Sequence, residues 1–244
     1  MWSTLGLVFV FSGLLEILIP LVFSFYVLNR LGVGWKVWLV GAAMFLLSLV
    51  RIPLNQFLSQ IALGAVKDPW GFVILALVPS TTAGVFEETA RYIGLRYWVK
   101  DDSYEKGLAY GAGHGGIESI IIVGVNVLAL GVILLISPGQ LPPTQLEQLL
   151  GTPLFLPLVG VYERVIVIII QVAFSVMVLE SIRKKQARYL GGAVVLHVLL
   201  DFLAVFLSRY GVLYSELAVT VFALALGYWL VRVLRDENVI ERFK

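Results

Sequence analysis

Seven long apolar stretches dominate the sequence and limit the folds that the chain can adopt. They cover Leu5–Leu28, Trp38–Leu63, Trp70–Trp98, Tyr104–Ile136, Pro157–Ile182, Tyr189–Leu207 and Tyr214–Leu234. Each is close to or longer than the roughly 20 residues that a helix needs to cross a bilayer. Only 14% of the residues are charged, whereas a soluble domain has about 25%. The sequence therefore predicts an all-α, polytopic membrane helix bundle with about seven transmembrane helices, within a range of six to eight.

Some of these stretches contain residues that are unusual in a membrane helix. The second stretch becomes polar after Arg51, so one kinked helix and a span followed by an interfacial helix both stay open. Arg51 is expected to pair with a buried acid, Glu16 or Glu88. Pro79 removes a backbone hydrogen bond within the third stretch, which predicts a kink or a break. The first stretch has no basic segment or small-residue cleavage site and is expected to be a retained anchor.

The distribution of lysine and arginine predicts the orientation of the bundle. When the segments between stretches are assigned alternately to the two sides, 13 of the 18 basic residues fall on the side of the C-terminus. Lys67 and Arg209 fall on the other side, and Arg51, Arg91 and Arg164 lie within stretches. Cytoplasmic segments of membrane proteins carry such an excess of positive charge. We therefore expect an outside N-terminus, a cytoplasmic C-terminus and a multi-pass protein of a prokaryotic plasma membrane.

The third stretch carries an unusual concentration of charge. Phe86–Arg96 reads FEETARYIGLR and places Glu87, Glu88 and Arg91 where a bilayer is expected. An ionisable group at membrane depth costs about 2.5–3.5 kcal/mol on insertion scales, so such groups pair, line a wet cavity or take part in chemistry. Glu87 and Arg91 are four residues apart and are predicted to pair on one helix face.

Both histidines of the chain also lie within apolar stretches. His114 precedes Glu118 by four residues, and His197 precedes Asp201 by four residues. Each pair therefore shares one face of its own helix. Glu87, His114 and His197 are each eight or nine residues from a basic residue on the cytoplasmic side, which is roughly 12–14 Å at the helical rise. The three groups are therefore predicted to lie at a common depth.

The fourth stretch has a glycine at every fourth position, which predicts a close contact with another helix beside His114. These glycines are Gly107, Gly111 and Gly115. Structural explanations compete with a functional one, since a lone intramembrane histidine usually makes an interhelical hydrogen bond. Glu163 and Arg164, near the start of the fifth stretch, are interpreted as structural or interfacial. The common depth of the ionisable groups nevertheless favours a functional site.

The residue types at this depth suit peptide-bond hydrolysis. That reaction needs a base for water, a donor for the oxyanion and a proton for the leaving amine. Glu87 is the candidate base, while the histidines could orient water, shuttle the proton or donate to the oxyanion. Glu87, His114 and His197 are also the ligand types that zinc accepts with a water in the fourth position. The HExxH spacing is absent, so we favour a site without metal or cofactor and keep zinc as the alternative.

Three motifs in this order on separate stretches resemble the intramembrane glutamate-protease clan. They are EExxR at Glu87–Arg91, an aromatic-xxx-His motif from Tyr110 to His114, and HxxxD from His197 to Asp201. The clan includes the CAAX prenyl endopeptidases, the bacterial CAAX-protease family and the PrsW proteases. The segments EETARY and GHGGIE are most similar to the YhfC family of intramembrane peptidases. The motifs extend over Phe86–Phe202, about half the chain.

The resemblance implies a role for each matching residue. Water would be activated by Glu87 with His114, and the oxyanion hole would be formed by His197 with position 201. Asp201 stands where the CAAX enzymes have Asn, and since an ionised Asp cannot donate a hydrogen bond, Asp201 is expected to orient His197 or to stay protonated. EExxR resembles the EExxK of PrsW, which has Glu at the position of His114. The supporting residues are Glu88, Arg91, Glu118 and Tyr110.

The sequence therefore predicts one integral-membrane domain over residues 1–244, with a catalytic core at about 70–207. The expected function is an intramembrane endopeptidase that hydrolyses a peptide bond in a membrane-embedded or lipid-linked substrate. The expected partners are a membrane protein, peptide or lipidated substrate and the bilayer, and no nucleic acid. The alternatives are a zinc-dependent intramembrane metalloprotease, a membrane scaffold, or a proton-coupled transporter, since acid and histidine chains also form proton relays.

Overall fold

The computed structural model describes residues 2–65 and 70–243 and confirms the all-helical membrane bundle, with no strand among those residues. The α-helices are α1 (Trp2–Leu31), α2 (Trp35–Ser48), α3 (Arg51–Ala65), α4 (Gly71–Ile93), α5 (Tyr104–Glu118), α6 (Val125–Ile136), α7 (Pro143–Leu150), α8 (Leu156–Arg183), α9 (Ala187–Ser208) and α10 (Val212–Asp236). A π-helical segment, Gly94–Val99, extends α4, and another, Ser119–Gly124, joins α5 to α6. Short 3₁₀ segments cover Pro138–Gln140 and Val239–Phe243.

Seven helical stretches in the described residues are long and apolar enough to cross a membrane. They are Trp2–Leu31, Trp35–Ala62, Gly71–Val99, Tyr104–Ile136, Leu156–Arg183, Ala187–Ser208 and Val212–Asp236. Every boundary lies within three residues of the predicted one. The chain is therefore a multi-pass integral membrane protein. Its orientation stays a prediction, and two of the basic residues used for it, Lys67 and Lys244, lie outside the described residues.

The structure shows how the second stretch is divided and whether the third stretch is broken at Pro79. A turn at Leu49 and Val50 divides the second stretch into α2 and α3, which packs against α4. Of the kink or break predicted at Pro79, the break is wrong, because α4 is continuous on both sides of the proline, and the kink stays a prediction. Helix α9 contacts α4 before the proline, through Phe72, and after it, at Gly84. These contacts hold the helix together despite the missing backbone hydrogen bond.

Helix α8 forms the centre of the bundle. In its most apolar window 78% of the residues are buried, against 17% in the corresponding window of α9. Helices α1, α4, α5, α9 and α10 all pack around α8. The polar residues that α8 contributes therefore face other helices instead of lipid.

The glycine stripe of α5 makes the close helix contact that its spacing predicts. A Cβ atom at Gly111 would lie 2.7 Å from the Cα of Val172 in α8. On the opposite side of α5, a Cβ at Gly113 would lie 2.1 Å from the carbonyl oxygen of Trp38 in α2. Helix α5 is therefore held tightly between α2 and α8, and His114 is completely buried there.

Candidate functional site

Glu87, His114 and His197 come from three different helices and meet at one point. Oε2 of Glu87 lies 3.2 Å from Nε2 of His114 and 3.9 Å from Nε2 of His197. All three side chains are at most 3% exposed. Glu87 on α4, His114 on α5 and His197 on α9 are thus brought into one buried cluster, which agrees with their predicted common depth.

The hydrogen bond between Glu87 and His114 defines the state of this histidine. A carboxylate can only accept, so Nε2 of His114 donates to it. Nδ1 of His114 is buried and has no hydrogen-bond partner among the described residues. The neutral imidazole with its proton on Nε2 therefore fits this environment, and its N–H is directed at Glu87.

Arg51 binds the other oxygen of Glu87. Nη2 of Arg51 lies 2.8 Å from Oε1, and the guanidinium is mostly buried. Arg51 therefore pairs with a buried acid as expected, but that acid is Glu87 and the choice of Glu16 or Glu88 is wrong. The turn between α2 and α3 places Arg51 at the first position of α3, and α3 packs on the face of α4 that presents Glu87. Arg51 lies outside the segment 70–207 that we expected to form the catalytic core, and its position as a lone cation in an apolar stretch was the available signal.

Glu88 holds His197 from the opposite side of the ring. Oε1 of Glu88 lies 2.7 Å from Nδ1 of His197, and its Oε2 lies 3.1 Å from Nε of Arg91. The predicted Glu87–Arg91 pair is therefore wrong, and Arg91 pairs with Glu88 at i,i+3. Consecutive residues point about 100° apart on a helix, so Glu87 faces α5 while Glu88 and Arg91 face α8 and α9.

Helix α8 anchors Arg91 through residues that the sequence motifs did not include. Nη1 of Arg91 donates to the carbonyl oxygen of Gln171 at 2.7 Å and to the hydroxyl of Ser175 at 2.5 Å. Nη2 donates to the side-chain oxygen of Gln171 at 2.6 Å. Arg91 is completely buried, so these bonds and Glu88 satisfy its charge. A single glutamine in the run VIVIIIQVAF was the signal that could have identified Gln171.

Aromatic rings fix the orientation of both histidines. The ring of Phe174 stacks on His197 with centroids 5.1 Å apart and planes 9° apart. Phe45 packs edge-on against His114 at 5.2 Å. Tyr110, predicted to support the site, lies over the other side of His114 at 6.4 Å. Its hydroxyl has no hydrogen-bond partner among the described residues, so Tyr110 contributes packing.

Asp201 and Arg51 mark the accessible side of the cluster. Oδ2 of Asp201 lies 3.7 Å from Nε2 of His197, a distance too long for a hydrogen bond but short enough for electrostatic attraction. The side chain of Asp201 is 34% exposed and that of Arg51 is 17% exposed, whereas the cluster behind them is buried. Arg51 on α3 and Asp201 on α9 are therefore the partly exposed residues next to the buried cluster.

Glu118 does not join the cluster through His114, its predicted partner. It accepts a hydrogen bond from the amide of Gln171 at 2.6 Å and lies 3.5 Å from Arg164. Arg164 also pairs with Glu163, which agrees with a structural role for these two residues. Glu118 is connected to the site only indirectly, because Gln171 also binds Arg91. The supporting role of Glu118 in the site stays a prediction, and its contact with the site runs through Gln171.

Glu87, His114 and His197 are the residues that would hold zinc if the site binds a metal. Zinc bound by two histidines and a carboxylate needs three donor atoms directed at one point, with a fourth position for water. One oxygen of Glu87 is already bound by the guanidinium of Arg51, and the other accepts from His114. In the described residues no group of three or more histidine and acidic side chains is arranged to hold a metal ion. In this arrangement both oxygens of Glu87 are occupied, so zinc could bind Glu87 only if Arg51 or His114 released the carboxylate.

Comparisons with known proteins agree with the sequence resemblance. The model of the YhfC intramembrane metalloprotease family matches residues 15–223. The chain is also similar to the uncharacterized membrane protein YhfC of Bacillus subtilis (strain 168), with 29% identity over 92% of this chain and 94% of that protein. No solved structure matches the chain. The chain therefore belongs to the YhfC intramembrane metalloprotease family, and this membership supports an intramembrane protease.

Proposed function

We propose that this protein is an intramembrane endopeptidase in which Glu87 acts as the general base without a metal ion. The observation that carries the proposal is the approach of one carboxylate oxygen of Glu87 to Nε2 atoms of both histidines, at 3.2 and 3.9 Å. A buried carboxylate between two imidazoles provides groups that accept and return a proton at one point. The resemblance to the glutamate-protease clan adds support for the same residues.

The first step would be the attack of water on the peptide carbonyl. Glu87 removes a proton from water while the water oxygen forms a bond to the carbonyl carbon, and the carbonyl electron pair moves to oxygen. The N–H of His114 holds Oε2 of Glu87 in place, and the guanidinium of Arg51 holds Oε1. In the next step Glu87 returns the proton to the amide nitrogen, and the C–N bond breaks. No other reactant than water is needed.

His197 would stabilise the oxyanion. Nδ1 of His197 faces Glu88, so a ring that donates to both Glu88 and an oxyanion carries protons on both nitrogens. The site contains three carboxylates, those of Glu87, Glu88 and Asp201. It contains two guanidiniums, those of Arg51 and Arg91. A positive charge on His197 balances this set. Asp201 would then hold the charge of the imidazolium and would not itself donate to the oxyanion.

The proposed substrates are membrane proteins, peptides or lipid-linked chains that reach the site from within the bilayer. The cluster is carried by three of the membrane-spanning helices, α4, α5 and α9. The proposed route to Glu87 passes the partly exposed Arg51 and Asp201, and the catalytic core extends over about 70–207 together with Arg51. A family name that refers to a metalloprotease leaves zinc as the alternative mechanism for the same residues.

Replacement of Glu87 by glutamine tests the proposal. New peptide N-termini would be quantified by mass spectrometry in membranes of cells that express the wild type, Glu87→Gln or the control Glu147→Gln, which changes an exposed acid on α7. A general base contributes about 10²–10⁴-fold in rate, so cleavage products should fall to background in Glu87→Gln alone. His197→Ala should retain residual cleavage, since one oxyanion donor contributes about 10²–10³-fold. Equal cleavage by the wild type and Glu87→Gln would contradict the proposal.

Metal analysis separates the two mechanisms. The proposed mechanism predicts that a chelator leaves cleavage by the purified protein unchanged and that zinc is present at well below one ion per chain. The zinc alternative predicts one zinc ion per chain, lost together with activity on chelation and restored with it. Under that alternative His114→Ala and His197→Ala would both lose the metal.

A further inference from the structure

A positively charged cleft lies at the end of the bundle where α4, α8 and α9 meet. Two adjoining cavities of about 410 and 330 Å³ form it, between the π-helical extension of α4 and the turn from α8 to α9. Arg96, Ile182 and Lys185 line both cavities, and Lys100 lines the larger one. The spans of α4, α8 and α9 end or begin here, at Val99, Arg183 and Ala187. The cleft therefore lies where the lipid headgroups begin.

Three basic residues of the cleft have no partner in the part of the chain that the structure describes. Arg96, Lys100 and Lys185 are exposed, and none of them forms an ion pair or a side-chain hydrogen bond there. The fourth cation, Arg183, is different, since it donates to the carbonyl oxygen of Asp102 at 2.6 Å. Arg183 also lies within 4 Å of Glu180 and Glu237.

The acidic residues of the cleft compensate only part of this charge. Asp101 pairs with Lys106, whose hydrogen bond lowers the pKa of Asp101 to about 2. Asp101 thus stays ionised and is occupied by a cation from outside the cleft. The carboxylate of Asp102 is then the remaining negative charge that the cleft residues offer against the three positive charges of Arg96, Lys100 and Lys185. An excess of positive charge is therefore available to an anion.

Two of these lysines, Lys100 and Lys185, have an unusual backbone conformation. Lys100 has φ 57° and Lys185 has φ 54°, a left-handed region that residues other than glycine adopt infrequently. The amide of Lys100 closes the end of the α4 extension on the carbonyl of Leu95 at 3.1 Å. The amide of Lys185 closes the end of α8 on Ile182 at 3.4 Å. Both lysines are thus placed where helices end.

The walls of the cleft are apolar on the side of the membrane. Tyr92, Leu95, Ile182 and Leu190 line one or both cavities. A ligand that matches this arrangement has an anionic group attached to an apolar body. Basic pockets between transmembrane helices on the cytoplasmic side bind anionic lipid headgroups in this way. We propose that the cleft binds the phosphate group of an anionic phospholipid, whose acyl chains follow the apolar walls into the bilayer.

A bound lipid would join the two helices that carry most of the candidate catalytic residues. Arg96 follows Glu88 by eight residues on the same helix, about 12 Å at the helical rise. Lys185 lies in the turn before α9, which carries His197. The lipid would therefore contact both α4 and α9 at this end of the bundle. The same two helices are joined by the Glu88–His197 hydrogen bond. This inference does not depend on the proposed protease activity.

Lipid binding by the purified full chain tests the inference. The protein would be placed in nanodiscs of phosphatidylcholine with increasing amounts of phosphatidylglycerol, and tightly bound lipids would be counted by native mass spectrometry after release. The cleft variant combines Arg96→Gln, Lys100→Gln and Lys185→Gln. The control variant combines Lys36→Gln, Arg232→Gln and Arg235→Gln, which removes the same charge from exposed residues at the same end of the bundle. Arg96→Gln alone is the fallback if the triple variant does not fold.

We expect the wild type and the control to retain phosphatidylglycerol and the cleft variant to lose it. A basic residue near the membrane surface contributes about fivefold in affinity for anionic lipid. The control loses this general attraction too, so the cleft variant should weaken binding by about tenfold more than the control. Equal loss in both triple variants would mean a general surface attraction only and would overturn the inference.

A separate measurement distinguishes the lipid from free phosphate. In phosphatidylcholine nanodiscs, inorganic phosphate would be titrated while the thermal denaturation of the protein is followed. A rise in Tm with phosphatidylglycerol that phosphate does not reproduce supports the lipid. A rise of the same size with phosphate alone, lost in the cleft variant, would assign the cleft to a soluble phosphate and would overturn the lipid assignment.

Discussion

Nδ1 of His197 lies 2.7 Å from Oε1 of Glu88, so the second acid of the EExxR motif binds the second histidine of the chain. Glu87 and Glu88 therefore make their hydrogen bonds to different histidines, although they are adjacent in sequence. Glu87 contacts His114 at hydrogen-bond distance, and Glu88 fixes the ring of His197. Glu87 is thus suited to activate water, and Glu88 is suited to position the ring of His197.

Glu88→Gln tests the positioning role of the second acid. We expect cleavage to fall by about 10–100-fold, because a neutral amide no longer stabilises the protonated form of His197. Because the chain has two histidines, ¹⁵N-histidine NMR of the protein can resolve both rings. The Nδ1 signal of His197 should shift in Glu88→Gln, while that of His114 stays unchanged. Unchanged signals from both histidines would contradict the role of Glu88.

Arg91→Lys should destabilise the bundle. The guanidinium binds Glu88, Gln171 and Ser175 at the same time, and a lysine has one nitrogen in place of this fork. Each buried acceptor that loses its hydrogen bond costs about 1–3 kcal/mol. Thermal denaturation in detergent should show a clearly lower Tm than that of the wild type. Arg232→Lys, at an exposed position on α10 that has no ion pair or aromatic contact among the described residues, is the control and should leave the Tm unchanged.

Gly113→Ala should disrupt the contact of α5 with α2. Its Cβ would lie 2.1 Å from the carbonyl oxygen of Trp38, so the helices must move apart next to His114. We expect a loss of both stability and cleavage, measured by denaturation and by product formation. Gly191→Ala on α9 is the matched control, because no atom lies within 4 Å of its added Cβ. That change should be neutral or should stabilise the helix by about 0.5–1 kcal/mol. Equal effects of the two changes would contradict the packing argument.

The predicted orientation can be measured with two reporters. One is fused after Lys244, and the other is inserted in the segment between α6 and α8, near α7. The excess of basic residues predicts that the C-terminal reporter is cytoplasmic and the inserted one is outside. Reporters on the same side would mean that an even number of spans separates the two positions, contrary to the three spans, α8, α9 and α10, that separate them in this bundle.

The apolar stretches of the sequence determined the seven spans of this protein. Without water in the bilayer core, backbone groups must bond within their own segment, so a long apolar stretch forms a helix. For this reason all seven spans were predicted to within three residues at each end. The sequence motifs also identified Glu87, His114 and His197, since ionisable residues at membrane depth are few and easily recognised.

The partners of these residues were decided by tertiary packing alone. The rule that i and i+4 share a helix face is local and predicted a Glu87–Arg91 pair, whereas Glu87 binds Arg51 and Arg91 binds Glu88. Glu87 binds the charge that α3 presents at its depth, whereas Arg91 binds Glu88 on its own helix because both face α8 and α9. Which helices face α4 depends on the glycines and side chains that pack α5 between α2 and α8 and place α9 on α4. These contacts join residues far apart in the chain, so no local pattern in the sequence specifies them.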